Sequence, residues 1–489
     1  MTFQLNTNDM LSILPFTLVF AVGMLVLLLE TLRKGKSMKM LAWVSLGGVV
    51  LACVANRQLL GQGLRGFGGS VVADDYAVVF NIIFLAVAFF TILISMRYLE
   101  DRGIQDGEYY ALVLFATGGM MVMASSLDLL MIFVGLEILS ISSYILTGML
   151  RRDHKSNEAA MKYFLLGAFA TGFLLYGMVM LYGATGTINL REIGTHLAVT
   201  NLGQNPYIWF GMGLLIVGFG FKLSLVPFHM WTPDVYEGAP TTVTAFMSAG
   251  PKAAGFAALV RVMVEGLGNL HDHWWLVMWI LAALTMTLGN VVAIWQDNIK
   301  RMLAYSSIAH AGYILAALVV ANIEGLSAIV FYGLVYTLGN MGVFAILVLA
   351  SDKNRERVTF EDYRGFGYVS PLLGMAMLVF MLSLIGIPLT GGFVGKFQIF
   401  KAAVEQGYLW LAVVGVINSV ISVYYYLRLV VVMYMQPPTG ASLQVRPPFN
   451  LALTVAIAAS LAGVVYLGIL PSGWLDMSSR SVSVLMAGF

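Results

Sequence analysis

Residues 218–234 read GFGFKLSLVPFHMWTPD. The stretch is apolar enough for a membrane interior, yet Lys222 stands five residues before Pro227, and His229 follows. Proline removes a backbone donor and clashes with the preceding turn, so a helix running through this stretch must break. Inside a bilayer the freed carbonyls need protein or water as partners. A lysine beside such a break can face a hydrated cavity instead of lipid. The combination recurs at residues 387–397, IPLTGGFVGKF, where Pro388, Gly391 and Gly392 precede Lys396.

The rest of the chain supplies the membrane. Hydrophobic residues make up 59% of the 489 and charged residues 11%, against roughly 25% charged in a soluble domain. Mean hydropathy is +0.85. A bilayer core of about 30 Å takes roughly 20 apolar residues per helix. Fourteen such runs are present, at about 11–31, 39–60, 75–98, 108–126, 128–150, 158–184, 207–231, 238–264, 274–295, 299–320, 324–350, 370–400, 407–434 and 449–470. The expected fold is an all-α polytopic membrane protein of 14 transmembrane helices, with helices 7 and 12 broken. The first run has its basic residues after it, so it reads as a retained helix, not a secretory leader.

The loops alternate in charge. One set holds Arg33, Lys34, Lys36, Lys39, Arg97, Arg102, Arg151, Arg152, Lys155, Lys300, Arg301, Lys353, Arg355, Arg357, Arg364 and Arg446. The other holds little beyond Arg57, Arg65 and Arg191. The positive-inside rule places the first set in the cytoplasm and both termini outside.

The chain also repeats. A shift of 169 residues lays Asp128 on Asp297 and Tyr144 on Tyr313; a shift of 161 lays Pro227 on Pro388. The unit is five helices, 4–8 against 9–13. Five is odd, so the copies are inverted, an architecture of secondary transporters. The expected division is 1–104 (three N-terminal helices), 105–270 and 271–436 (the two repeats), and 437–489 (the fourteenth helix).

Charged residues at the centre of a membrane helix cost about 2.5–3.5 kcal/mol each on insertion scales. Glu137, Lys162, Lys222, Lys252 and Lys396 lie well inside spans. Glu137 is the only carboxylate at mid-depth. Burial disfavours an ammonium and a nearby carboxylate favours it, so a lysine between the two can take up and release a proton. Hard metal cations would call for oxygen ligands, which makes a proton the more plausible cargo. Lys162 is close enough to a span end to snorkel. His229 and His310 are secondary candidates for passing protons, and Tyr305, Ser306 and Ser307 form a hydroxyl stripe with His310. Asp234, Glu237 and Arg261 read as interfacial, as do tryptophans near span ends such as Trp231 and Trp274.

Several functions are excluded. The single cysteine, Cys53, cannot build a disulfide or an iron–sulfur or thiolate zinc site. No phosphate-binding glycine loop is present, and no basic, aromatic-interleaved stripe points to nucleic acid.

Residues 222–256, KLSLVPFHMWTPDVYEGAPTTVTAFMSAGPKAAGF, and 297–314, DNIKRMLAYSSIAHAGYI, closely resemble the antiporter-like membrane subunits of respiratory complex I. These are relatives of subunits of multi-part cation/proton antiporters, the alternative assignment. The resemblance covers roughly residues 108–434. It implies a proton-translocating subunit of a bacterial inner-membrane NADH–quinone oxidoreductase. Each inverted unit would supply half of a proton path, joined by a hydrophilic axis. Glu137 matches the family's fifth-helix glutamate, and Lys222, Lys252 and Lys396 its lysines of helices 7, 8 and 12. NADH, FMN, iron–sulfur clusters and quinone would be handled by other subunits, with no cofactor in this chain. Its partners would be the other membrane-arm subunits, further antiporter-like ones among them, and the lipid bilayer. The chain ends soon after the fourteenth run, without the long lateral helix of some members. Where one other member typically has a twelfth-helix glutamate, this chain has Lys396.

Overall fold

The computed structural model describes residues 6–32, 38–104, 106–200, 205–353, 355–438 and 449–486. Arg33, Lys34, Lys36 and Arg446 of the basic loops lie outside them. The first helices are α1 (Thr7–Leu32), α2 (Lys39–Arg57), α3 (Asp75–Asp101), α4 (Glu108–Ala124), α5 (Leu129–Thr147) and α6 (His154–Thr185). A two-stranded hairpin, Leu64–Gly66 with Val71–Ala73, joins α2 to α3. Then come α7 (Leu190–Val199), α8 (Pro206–Leu223), α9 (Trp231–Gly238), α10 (Thr241–Val260), α11 (His271–Ala293), α12 (Ile299–Val320) and α13 (Ile323–Ala350). The chain continues through α14 (Phe366–Val369), α15 (Pro371–Ile385), α16 (Gly391–Glu405), α17 (Leu409–Met435), α18 (Leu451–Ile469) and α19 (Ser472–Met486). Among the described residues twelve helices are long and apolar enough to cross a membrane; Glu108–Ala124 and Pro371–Ile385 are shorter apolar helices.

A helix apolar on all sides is a buried one. Here α10, α12 and α13 are buried along almost their whole length, and α3 nearly so, while α1, α6 and α18 bury one face. The central helices carry Lys252 and His310, so the site lies in the middle of the packing.

Both expected breaks are present. Helix α8 stops at Ser224 in the left-handed region (φ 60°), with the Leu225 N–H bonded to the Gly220 carbonyl at 2.8 Å. Helix α15 stops the same way at Gly386 (φ 92°), with Ile387 N–H on Leu382 O at 2.9 Å. These are Schellman-type ends, which satisfy carbonyls that the break would orphan.

The halves share further contacts. Leu129 N–H bonds Ile188 O and Leu190 N–H bonds Leu127 O; Ile299 N–H bonds Val358 O and Phe360 N–H bonds Asp297 O. The register relating these pairs is 170, one more than the residue matches alone suggest. Asn298, not Asp297, is therefore the counterpart of Asp128, and each caps its helix with its side chain. The same register relates two close approaches. A Cβ on Gly119 would stand 2.6 Å from Gly135 O, and one on Gly289 would stand 2.9 Å from Tyr305 O. Helices α4/α5, α11/α12 and, through Gly177 and Gly211, α6/α8 thus touch backbone to backbone.

Three expectations need correction. Arg261 is not interfacial: it is fully buried, in a π-helical turn (Arg261–Gly266) that continues α10. Trp274 is buried and donates to Leu267 O at 3.0 Å, and Trp231 is buried and donates to Phe221 O. The region after the fourteenth run holds a further helix, α19, packed on α3, α13 and the π-turn.

Candidate functional site

Three of the singled-out lysines are buried: Lys222 at 5%, Lys252 at 3% and Lys396 at 4% exposure. Among the described residues none has a carboxylate within the 4.0 Å of an ion pair. Each is held by neutral oxygens. Lys222 Nζ donates to Ser140 Oγ at 2.9 Å and lies 6.0 Å from the Tyr163 ring centre. Lys252 Nζ donates to the carbonyl and hydroxyl of Ser307. Lys396 Nζ donates to Leu384 O (3.0 Å), Ile385 O (2.9 Å) and Ser419 Oγ (3.1 Å), and sits 4.6 Å from the Tyr313 ring centre. Two of those acceptors are carbonyls at the end of α15, so the break supplies the ammonium's partners. Lys222 precedes its break and Lys396 follows its own.

Glu137 does not reach Lys222. Its carboxylate accepts from Thr171 Oγ1 at 2.9 Å, and Ser140, about one turn further along α5, takes the lysine. The two remain within electrostatic range. A cavity of about 10 Å³, the scale of one water molecule, is lined by Ser140, Tyr144, Thr171 and Lys222.

His310 occupies the space between Lys252 and Lys396. Its Nδ1 meets the Tyr332 hydroxyl at 2.6 Å and its Nε2 the Tyr426 hydroxyl at 2.9 Å. Tyr426 continues to Ser306, and Ser307, next along the chain, holds Lys252. On the other side, Gly395 packs on the Tyr332 ring beside Lys396. Between Lys222 and Lys252 the link is packing: Gly255, on the turn after Lys252, lies against the Lys222 stem. Tyr305 takes no part in these bonds.

The other two candidates fall elsewhere. Lys162 is part of a half-exposed ion cluster, 2.8 Å from Asp234 and 2.7 Å from Glu158, which Arg301, Glu237 and Lys155 extend. His229 lies in the break after α8, with Nδ1 buried and, among the described residues, without a hydrogen-bond partner.

Two ionic groups were not singled out from the sequence. Arg261 donates to Ala124 O (2.7 Å), Asp74 (2.6 Å) and Glu265 (2.6 Å); Glu265 also takes Arg191 at 3.0 Å. At the opposite end of the bundle, buried Lys300 lies 3.4 Å from Glu356, which accepts from Tyr98 at 2.5 Å. The spacing of Arg261 and Glu265, four apart on one helix face, was a signal available in the sequence. The remote partners Asp74 and Glu356 carried none.

A family model described as NADH:quinone oxidoreductase/Mrp antiporter, TM, matches residues 126–422. NADH-quinone oxidoreductase subunit N of Trichlorobacter lovleyi is 49% identical over 482 residues, covering 98% of each chain. A chain in the structure of respiratory complex I from Thermus thermophilus with bound aureothin is 36% identical, with a TM-score of 0.80 over 95% of this chain and 99% of that one. A chain of the Mrp complex from Dietzia sp. DQ12-45-1b, 20% identical, shares the fold alone, with a TM-score of 0.84 over 98% of this chain and 97% of that one.

Proposed function

The chain belongs to the NADH:quinone oxidoreductase/Mrp antiporter family, in the group of NADH-quinone oxidoreductase subunit N, and we propose that three of its buried lysines, Lys222, Lys252 and Lys396, carry the proton that such a subunit translocates. It is a multi-pass, proton-translocating membrane-arm subunit of that complex and works beside other antiporter-like subunits. Electron transfer is assigned to partner subunits, with no redox centre in this chain. The membrane is the bacterial inner membrane, with the basic loops and the Lys300–Glu356 end inside and both termini outside.

The observation that carries this reading is the set of acceptors. A serine hydroxyl accepts a hydrogen bond from an ammonium and donates one to a neutral amine. Lys222, Lys252 and Lys396 each rest on one; Ser140 and Ser419 donate their own O–H to Leu136 O and Ile385 O, and turning it onto the amine would keep the lysine hydrogen-bonded after it loses its proton. A carboxylate partner could not reverse roles in that way.

In the proposed relay Glu137 acts as the switch. It rests on Thr171, and its approach to Lys222 would favour the charged lysine. Its withdrawal would send the proton inward to Lys252, on through Ser307, Ser306, Tyr426 and His310, and to Lys396, which releases it outside. Moving one charge against 100 mV takes about 2.3 kcal/mol, which a change in one close charge contact can supply. The two repeats form the halves of the path. Lys162 and His229 are left out of the buried row.

The test is Lys222→Ala in the assembled complex, followed by acidification of inverted membrane vesicles on NADH addition. Pumping should be lost while the subunits still co-purify. Normal pumping in assembled Lys222→Ala complexes would remove this residue from the mechanism.

A further inference from the structure

The described surface holds a large apolar groove, of about 650 Å³, between α2, α3 and α18; a second, of about 600 Å³, on α6 and α8 has no charged residue in its lining. The polar lining residues of the first, Lys39, Arg97, Glu100 and Asn450, all lie at one end, the end of the basic loops. From Lys39 the groove follows one face of α2 through Trp43 and Gly47 to Val50. At 1.5 Å per residue that is about 16 Å, half of a hydrocarbon core of about 30 Å. The α3 wall, from Glu100 back to Phe89, covers the same depth. A polar mouth, an apolar trough and a depth of one leaflet are the dimensions of a lipid. A transmembrane helix would need a channel through both leaflets.

The mouth carries two ion pairs, so it offers both signs of charge to a headgroup. Lys39 and Glu100 stand 3.1 Å apart, both largely exposed. Arg97 is held by Asp101 through Nε at 3.1 Å, and its buried Nη1 has no hydrogen-bond partner among the described residues. Trp43 is 63% exposed, as ring systems at the headgroup level are. The floor is open: a Cβ added at Gly47 would meet nothing within 4 Å.

We propose that this groove is a binding site for one phospholipid of the leaflet on the basic-loop side. An acyl chain lies along Gly47 and Val50, and the phosphate sits against Arg97 and Lys39. None of these residues belongs to the relay, so the site can be altered with pumping intact.

The experiment uses the purified complex in nanodiscs containing a phospholipid with a photoactivatable diazirine near the end of one acyl chain. Labelling should map to the peptides around Gly47 and Leu93. Gly47→Phe fills the floor, and losing two or more CH₂ contacts lowers labelling about tenfold. Arg97→Gln, which leaves the trough open, should lower the phospholipid retained after delipidation and serves if Gly47→Phe does not assemble. Labelling that Gly47→Phe leaves unchanged overturns the proposal. So does capture of a neighbouring subunit, in place of lipid, by a photo-crosslinking amino acid at position 47.

Discussion

The proposed relay separates two properties of Lys222, its charge and its exchangeable proton. Arginine keeps the charge and holds its proton at all accessible pH values. Lys222→Arg should therefore assemble and fail to acidify vesicles, as Lys222→Ala does; pumping by the arginine variant would mean that charge alone is enough. Ser140→Ala takes away the Lys222 Nζ acceptor. A hydrogen bond to a charged group is worth about 1.5–3 kcal/mol, so coupled turnover should fall roughly tenfold or more, measured as the initial rate of NADH-driven vesicle acidification. The lysines themselves were legible because a cation in a long apolar run is conspicuous. Of their hydroxyl partners, Ser307 stood out in the stripe with His310, whereas Ser140 and Ser419 look like any small residues on a membrane helix.

At the scale of elements, the breaks depend on close approach. A Cβ on Gly392 would lie 1.8 Å from Ser383 O, across the break between α15 and α16. Gly392→Ala should push α16 off α15, misplace Lys396 and reduce recovery of assembled complex. Gly213→Ala on α8, where a Cβ meets nothing within 4 Å, should leave recovery unchanged. The breaks themselves could be read from Pro227 and Pro388, because proline acts on its own backbone. The repeat register could be read only to within one residue: matching side chains gives 169, while the strand-like pairs beside α5 and α12 set 170. Helix α19 went unnoticed because its serines keep it below the apolarity of a span. Its place against α3 and α13 comes from tertiary contacts.

Over the whole molecule, two ionic joints bind distant segments. Arg261 ties the start of α3 to the end of α10, through Asp74 and Glu265. Removing one member of a buried charge group leaves the others uncompensated, at about 3–5 kcal/mol. Arg261→Met should sharply lower the level of assembled complex, and adding Asp74→Asn with Glu265→Gln should recover part of it. In the sequence these residues sat near span ends, where buried and interfacial charges look alike. Glu356 ties the segment before α14 to α3 and α12. Burial pushes its carboxyl up, but Lys300, the Tyr98 hydroxyl, Arg102 and Thr241 outweigh that and hold it below the ordinary 4.5. A depressed carboxylate stabilises the fold above its unfolded value and stops doing so as pH falls through the folded one. The melting temperature of Glu356→Gln should thus lie below the parent's near neutrality, with the gap closing as the pH drops beneath 4.5.

The glycine contacts inside α4/α5, α6/α8 and α11/α12 leave no slack for sliding within a pair. A pair that moves as one plank would concentrate any shift at the seams between planks. Lys222 rides on the α6/α8 plank while Ser140 rides on α4/α5, so a slip of even one ångström between those two planks lengthens or shortens the grip on the proton carrier. Mechanical strain arriving from a neighbouring subunit would be converted at that seam, without any helix having to bend.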